Sequence, residues 1–349
     1  MRALQLALGI AISAVCVLLS IVDVGPAQAL HPSQLWASIR RVPATLDVIF
    51  AHLARANWIG FVAICALTVF AFWLRAIRWR YFVREPRGIA TGHLFSATMI
   101  GFMANNVLPF RLGEFVRPWV LARRERLSNT TLLATIVVER AIDMLTLLAI
   151  FGAAVLVSPI AENTPAGRLV QGGARLMLVL SVLLTVFVVA AERNRRIALA
   201  LVGLLPERAR PRATRMLGHF LEGFALFRDL GRLAIVFALS FAMFLGFAIA
   251  LWIAGWSLGI ALPWYAGLVM LVVTAIGIMV PAAPGYVGTL NIACTAGLAL
   301  YGVEKAPASA YGWFYFFSQW LPITAVGLYC LNREGLTLKS LGQARTEAA

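Results

Sequence analysis

Charge is what this sequence has least of. Only 13% of its 349 residues are Asp, Glu, Lys or Arg, against about 25% in a soluble domain. A chain that presents most of its surface to water is therefore excluded. Cysteine and histidine are scarce too, at four each. Cys16, Cys65, Cys294 and Cys330 lie in apolar stretches without CxxC spacing, which supports neither a disulfide framework nor a zinc site. His31, His52, His93 and His219 form no HExxH and no i, i+4 pair, so no metal and no other cofactor is expected. The sequence also lacks DxD, GxSxG and an ATP-binding motif, and the chain is not expected to be an enzyme of those kinds.

What is present is apolar: 61% of residues are hydrophobic, and several uncharged runs reach the roughly 20 residues that cross a hydrocarbon core of about 30 Å. Backbone polar groups in lipid must pair internally, so these spans are helices. Residues 1–22 form the first; Ala27-Gln28-Ala29 behind them resembles a signal-peptidase site, but the run exceeds the usual signal h-region and reads as a retained span. A second span at 58–74 ends in Arg75, Arg78, Arg80, Arg84 and Arg87, which marks its cytoplasmic end. Further basic clusters occupy 111–126, 193–232 and the tail with Arg333, Lys339 and Arg345. The net charge of +15 thus reports orientation in a bacterial inner membrane, with both termini cytoplasmic, and nucleic acid is not an expected partner. Residues 192–232 mix leucine and phenylalanine with arginine and read as a cytoplasmic amphipathic segment. Residues 36–56 read the same way on the outside, and 332–349 read as a cytoplasmic tail.

Arginine-rich segments flank residues 95–108 on both sides, so a single crossing there would place one of them wrongly. A re-entrant hairpin removes the conflict: 94–107 goes in, Leu108-Pro109-Phe110 breaks it, and 113–122 returns. The same arithmetic gives a second hairpin from 264–280 and 285–301 around Pro281-Ala282-Ala283-Pro284-Gly285, entering from the periplasm. With spans at 132–157, 174–191, 233–256 and 311–331, the expectation is an all-α polytopic membrane protein in one domain over 1–349. It has about six transmembrane helices plus two re-entrant hairpins entering from opposite sides, the pattern of a transporter with a midplane site. Eight transmembrane helices are the alternative. Gly255 and Gly259 form a GxxxG-type pair, a weak sign of helix association.

Three groups carry candidate chemistry. Glu139, Arg140 and Asp143 lie in an apolar helix, Asp143 on the order of 15 Å from Leu132. Glu139 and Asp143 share a face at i, i+4, and Arg140 reaches Asp143 at i, i+3. Such a triad is either a helix-packing salt bridge or part of a polar path. In Asn105-Asn106 and the stretch that follows, Arg111, Glu114 and Arg117 recur at three-residue steps; two guanidinium forks suit a phosphate, with the carboxylate between to orient them. Pro284, Gly285 and Gly288 break a helix and free amides that suit an anion, or form a passive kink.

Taken in order, the Asn105–Arg117 string, Glu139-Arg140 with Asp143, the Pro281–Gly288 stretch and Arg78-Trp79 resemble the lysylphosphatidylglycerol synthase transmembrane (flippase-like) family over nearly the whole chain. The resemblance implies translocation of a modified membrane lipid, aminoacyl-, glyco- or hopanoid-type, between leaflets. Expected partners are membrane lipids with anionic or modified headgroups and enzymes of lipid biosynthesis. No synthetase domain follows the last span, so aminoacyl transfer is not expected. Many relatives carry a glutamate soon after the second break; this chain has Thr289-Leu290-Asn291, so a proton-coupling carboxylate is not carried over to that place. The alternatives are an intramembrane lipid-modifying enzyme and an accessory subunit.

Overall fold

A computed structural model of the chain describes residues 42–83, 88–108, 112–157, 179, 229–278 and 284–341. The expected span at 1–22, nearly all of the span at 174–191 and of the amphipathic segment at 192–232, the breaks at 109–110 and 281–283, Arg111 and the last residues of the tail lie outside this set. Among the described residues all regular elements are helical: α1 (Val42–Ala54), α2 (Trp58–Phe82), α3 (Thr91–Val107), α4 (Gly113–Glu125), α5 (Asn129–Val157), α6 (Leu230–Ser257), α7 (Ala266–Gly277), a 3-10 turn (Pro284–Tyr286), α8 (Thr289–Ala299), α9 (Lys305–Arg333) and a final turn α10 (Leu338–Leu341). Three of them, α2, α6 and α9, are long and apolar enough to cross a membrane. The chain is a multi-pass membrane protein.

Two helices depart most from the bounds expected from sequence. Helix α2 runs on past Leu74 to Phe82, so Arg75, Arg78 and Arg80 lie within it rather than at its end. Arginine is a good helix former and does not end a helix that finds partners for its guanidinium groups. Helix α9 begins at Lys305, six residues before the last span expected at 311–331.

The chain divides into two units. The first comprises Met1–Ala71, Gly101–Gly113 and Leu245–Arg333, the second Phe72–Ile100, Glu114–Phe244 and Glu334–Ala349. Helices α2, α3 and α6, and α4 through its first residue, each contribute to both.

Close backbone approach organises the first unit. Asn57 caps α2, its Oδ1 accepting from the Ile59 N–H at 3.0 Å. A side chain at Gly60 would meet the Ser257 hydroxyl, which brings α2 tight against α6. The Gly255/Gly259 pair has a local explanation. Gly259 takes a left-handed φ of 69° and the Ile260 N–H returns to the Gly255 carbonyl at 2.9 Å, a Schellman stop, while Gly255 leaves room for Leu262. Pro322, inside α9, cannot donate to the Ser318 carbonyl one turn back; the Cys65 thiol of α2 donates to it instead at 3.4 Å. Helix α1 seats Ile49 against Ala310 of α9, with Leu46, Leu53 and Trp313 around them.

Helices α7 and α8 pack antiparallel, Gly277 facing Ala293 and Gly297 facing Met270. At 12 and 11 residues each rises only about 17 Å, well short of a hydrocarbon core. In the same unit Gly113, at the start of α4, packs on the Gly101 carbonyl and donates its N–H to Asn105 Oδ1 at 2.8 Å, so the chain doubles back between α3 and α4.

The second unit is built around Trp79 and Arg78, both fully buried. At one border the His93 imidazole of α3 meets Glu125 of α4. There Glu334 accepts from the Ser96 hydroxyl at 2.7 Å and pairs with Arg124, which ties the chain beyond α9 to α3 and α4.

Candidate functional site

The ionisable groups of the second unit converge. Helix α5 supplies Glu139 and Asp143 one turn apart, and both carboxylates are buried. Helix α2 supplies Arg75 and Arg78, and α4 supplies Arg117. Glu139 is the hub: its Oε1 lies 3.0 Å from Arg75 Nη1, 3.3 Å from Arg78 Nη2 and 2.7 Å from Arg140 Nη2. Arg117 Nη1 donates to both of its oxygens, at 3.0 and 2.8 Å. Asp143 completes the arrangement, with Oδ2 at 3.5 Å from Arg75 Nη1 and 3.1 Å from Arg140 Nη2.

Arg78 illustrates how crowded the cluster is. Its Nη1 lies 2.6 Å from Asp143 Oδ1, yet it is aligned on the Ser240 hydroxyl of α6 at the same distance. The contact with Asp143 Oδ1 is an ion pair. Arg117 is held from the other side by Trp79, its guanidinium 3.9 Å from the ring centroid. The indole is itself anchored, Nε1 donating to Thr135 Oγ1 at 2.9 Å. Each cluster member but Arg140 shows 8% or less of its side chain, whereas Arg140 shows 38%. The cluster is thus closed except at Arg140.

Among the described residues four guanidinium groups face two carboxylates here, with the Glu114 carboxylate also in electrostatic range of Arg140. A buried charge is costly unless paired, and ionisable groups within spans are otherwise rare; a surplus of cation is dearer still. Donors are also in surplus, since Nε and Nη2 of Arg117 and Nε of Arg78 and Arg140 are buried without a hydrogen-bond partner among the described residues.

The site residues expected from sequence fall into two groups. Glu139, Arg140, Asp143 and Arg117 come together, with Glu114 in electrostatic range of Arg140, and the anticipated i, i+3 contact of Arg140 with Asp143 is present. Arg117 turns onto Glu139 of another helix, a partner the local three-residue spacing did not suggest. Arg75 and Arg78 were missed as site residues. Their three-residue spacing on the inner side of an apolar helix, directly before a tryptophan, was the available signal.

The other group lies in the first unit. Asn105 accepts from Gly113, and the Asn106 amide donates to Thr324 Oγ1 of α9 at 3.1 Å. Gly285 and Gly288 take left-handed φ of 74° and 88°, and Tyr286 follows at 60°. A Cβ on Gly285 would lie 3.2 Å from the Trp320 ring and 3.3 Å from the Asn106 carbonyl, so the turn that Pro284 opens rests against the end of α3. Among the described residues no group of His, Cys, Asp or Glu gathers in a metal-binding arrangement.

Apolar spanning helices with a buried arginine–carboxylate cluster define a polytopic membrane protein built to hold charge out of water. Residues 6–327 match the lysylphosphatidylglycerol synthase TM region, and the chain belongs to that family. Its members are membrane regions associated with lipid modification or translocation. No curated protein and no solved structure matches the chain.

Proposed function

We propose that this protein moves a lipid with an anionic or modified headgroup between the leaflets of the bacterial inner membrane, and that the cluster around Glu139 is where the headgroup phosphate is held. The observation that carries this reading is the excess of guanidinium over carboxylate among the described residues, four to three with Glu114 counted, at a site closed except at Arg140. A headgroup charge cannot enter hydrocarbon alone, because its effective desolvation penalty is several kcal/mol, of the order known for buried ions. Planar guanidinium forks replace the lost water with paired donors. The lipid tails need no such help and stay in the bilayer. Arg111, three residues before Glu114, belongs to this reading as a further phosphate ligand.

The topology proposed with it is about six crossings plus two re-entrant hairpins, with both termini cytoplasmic. The short lengths of α7 and α8, their antiparallel packing and the doubling back of the chain from α3 to α4 support it. The direct test is transbilayer movement of anionic lipid in proteoliposomes, compared between the natural chain and cluster variants. Turnover of lipid without transbilayer movement would instead favour a lipid-modifying enzyme.

A further inference from the structure

Resting on the reading that the cluster holds a headgroup phosphate, we infer that Glu139 is the internal occupant of that phosphate's place, so that the lipid binds by displacing the carboxylate rather than by joining it. Three observations lead here. Glu139 is fully buried and touches all four guanidinium groups, at 2.7 to 3.3 Å. No substrate group can reach the centre of the cluster while it stays.

The donors around it outnumber what a carboxylate can accept. With Glu139 seated, Arg117 Nε and Nη2 remain without a hydrogen bond among the described residues, as do Arg78 Nε and Arg140 Nε. A phosphodiester anion has the same single charge as the carboxylate, but its two non-bridging oxygens are set wider apart around a tetrahedral phosphorus, with two weakly accepting ester oxygens out of their plane. It fills donor edges that a planar carboxylate leaves open. Because those free donors are buried, they are not an additional open site, and they become useful only to a larger acceptor at the centre.

The position of Arg140 supplies the route. It is the partly exposed member, and it already bridges Glu139 Oε1 and Asp143 Oδ2. An incoming anion meets Arg140 first and draws it from Glu139, which weakens the hub before the exchange. Asp143, one turn further along α5, keeps Arg75 and Arg140 partly compensated while Glu139 swings out. On release of the lipid, Glu139 returns, and its competition keeps the site from becoming a trap. The inference reverses the sign usually expected for a buried site residue: removing the Glu139 charge strengthens anion binding.

The test uses the full chain in non-ionic detergent with dihexanoyl phosphatidylglycerol as probe and inorganic phosphate as competitor. Glu139→Gln should bind the probe at least tenfold more tightly than the natural chain, and its thermal stability, lowered without the probe, should rise further on adding it. Arg117→Gln should lose binding in either background. In proteoliposomes Glu139→Gln should slow transbilayer movement despite its tighter binding, because release becomes limiting. If Glu139→Gln does not fold, Glu139→Asp, which keeps the charge but draws it back from Arg117, should still bind more tightly than the natural chain. Competition by inorganic phosphate at equal concentration would point to free phosphate as the ligand and overturn the lipid-exchange inference. If Glu139→Gln, or Glu139→Asp in its place, binds no more tightly while Arg117→Gln loses binding, the exchange is wrong and the headgroup site stands. Absence of probe binding in all the proteins would remove both.

Discussion

The guanidinium carbon of Arg117 sits over the indole of Trp79, 3.9 Å from its centroid, while its Nη1 donates to Glu139. A cation–π contact out of water contributes about 2 kcal/mol, and the indole hydrogen bond to Thr135 adds about 1 kcal/mol. Trp79→Leu should lower the thermal midpoint in detergent and slow lipid movement about tenfold or more. Trp79→Phe keeps a ring under Arg117 and should retain most of both. Equal loss in the two variants would mean that the stacking does not position Arg117.

Arg78 and Asp143 should behave as a coupled pair. Removing one partner of a buried ion pair costs about 3–5 kcal/mol, whereas replacing both with apolar groups is often tolerated. Asp143→Leu or Arg78→Met alone should fold poorly. The double variant should recover much of the stability, since Ser240 keeps its bond to the Val236 carbonyl, yet move no lipid. Thermal denaturation of the four proteins gives the coupling energy directly.

Three glycines should respond differently to alanine. Gly113→Ala would drive a methyl to within 1.9 Å of the Gly101 carbonyl and should abolish folding or nearly so. Gly285→Ala combines a left-handed φ of 74° with crowding by Trp320 and Asn106 and should be clearly destabilising. Gly302→Ala shares the left-handed φ, at 70°, but meets nothing within 4 Å, so it should cost only about 1–2 kcal/mol. Yields and melting temperatures should follow that order.

Single cysteines in a cysteine-free background test the topology. Residue 123, at the end of α4, should label only from the cytoplasmic side, and residue 302, between α8 and α9, only from the outside. Labelling of residue 123 from the periplasm would remove the first hairpin.

Much of this protein is legible in its sequence, for reasons that can be named. Long uncharged runs announced α2, α6 and α9 because lipid tolerates little else. The Glu139-Arg140-Asp143 group stood out because ionisable residues deep in an apolar helix are costly. Arg75 and Arg78 were hidden by the same rule that revealed the orientation: a charge count cannot tell an arginine that reaches toward headgroups from one that turns inward to a carboxylate. Arg117 was assigned a partner by three-residue spacing. Its observed partner, Glu139, lies on another helix and is fully buried, and a desolvated carboxylate attracts a guanidinium more strongly than a better-solvated neighbour does.

The central claim is tested most directly by transbilayer movement of fluorescent or chemically accessible anionic lipid in proteoliposomes carrying the natural chain, Arg117→Gln or Asp143→Asn, each inserted at equal density. The account predicts accelerated movement with the natural chain and near-background rates with both variants. Acceleration that survives both substitutions, or no acceleration by the natural chain with any phospholipid, glycolipid or aminoacyl lipid, would contradict it.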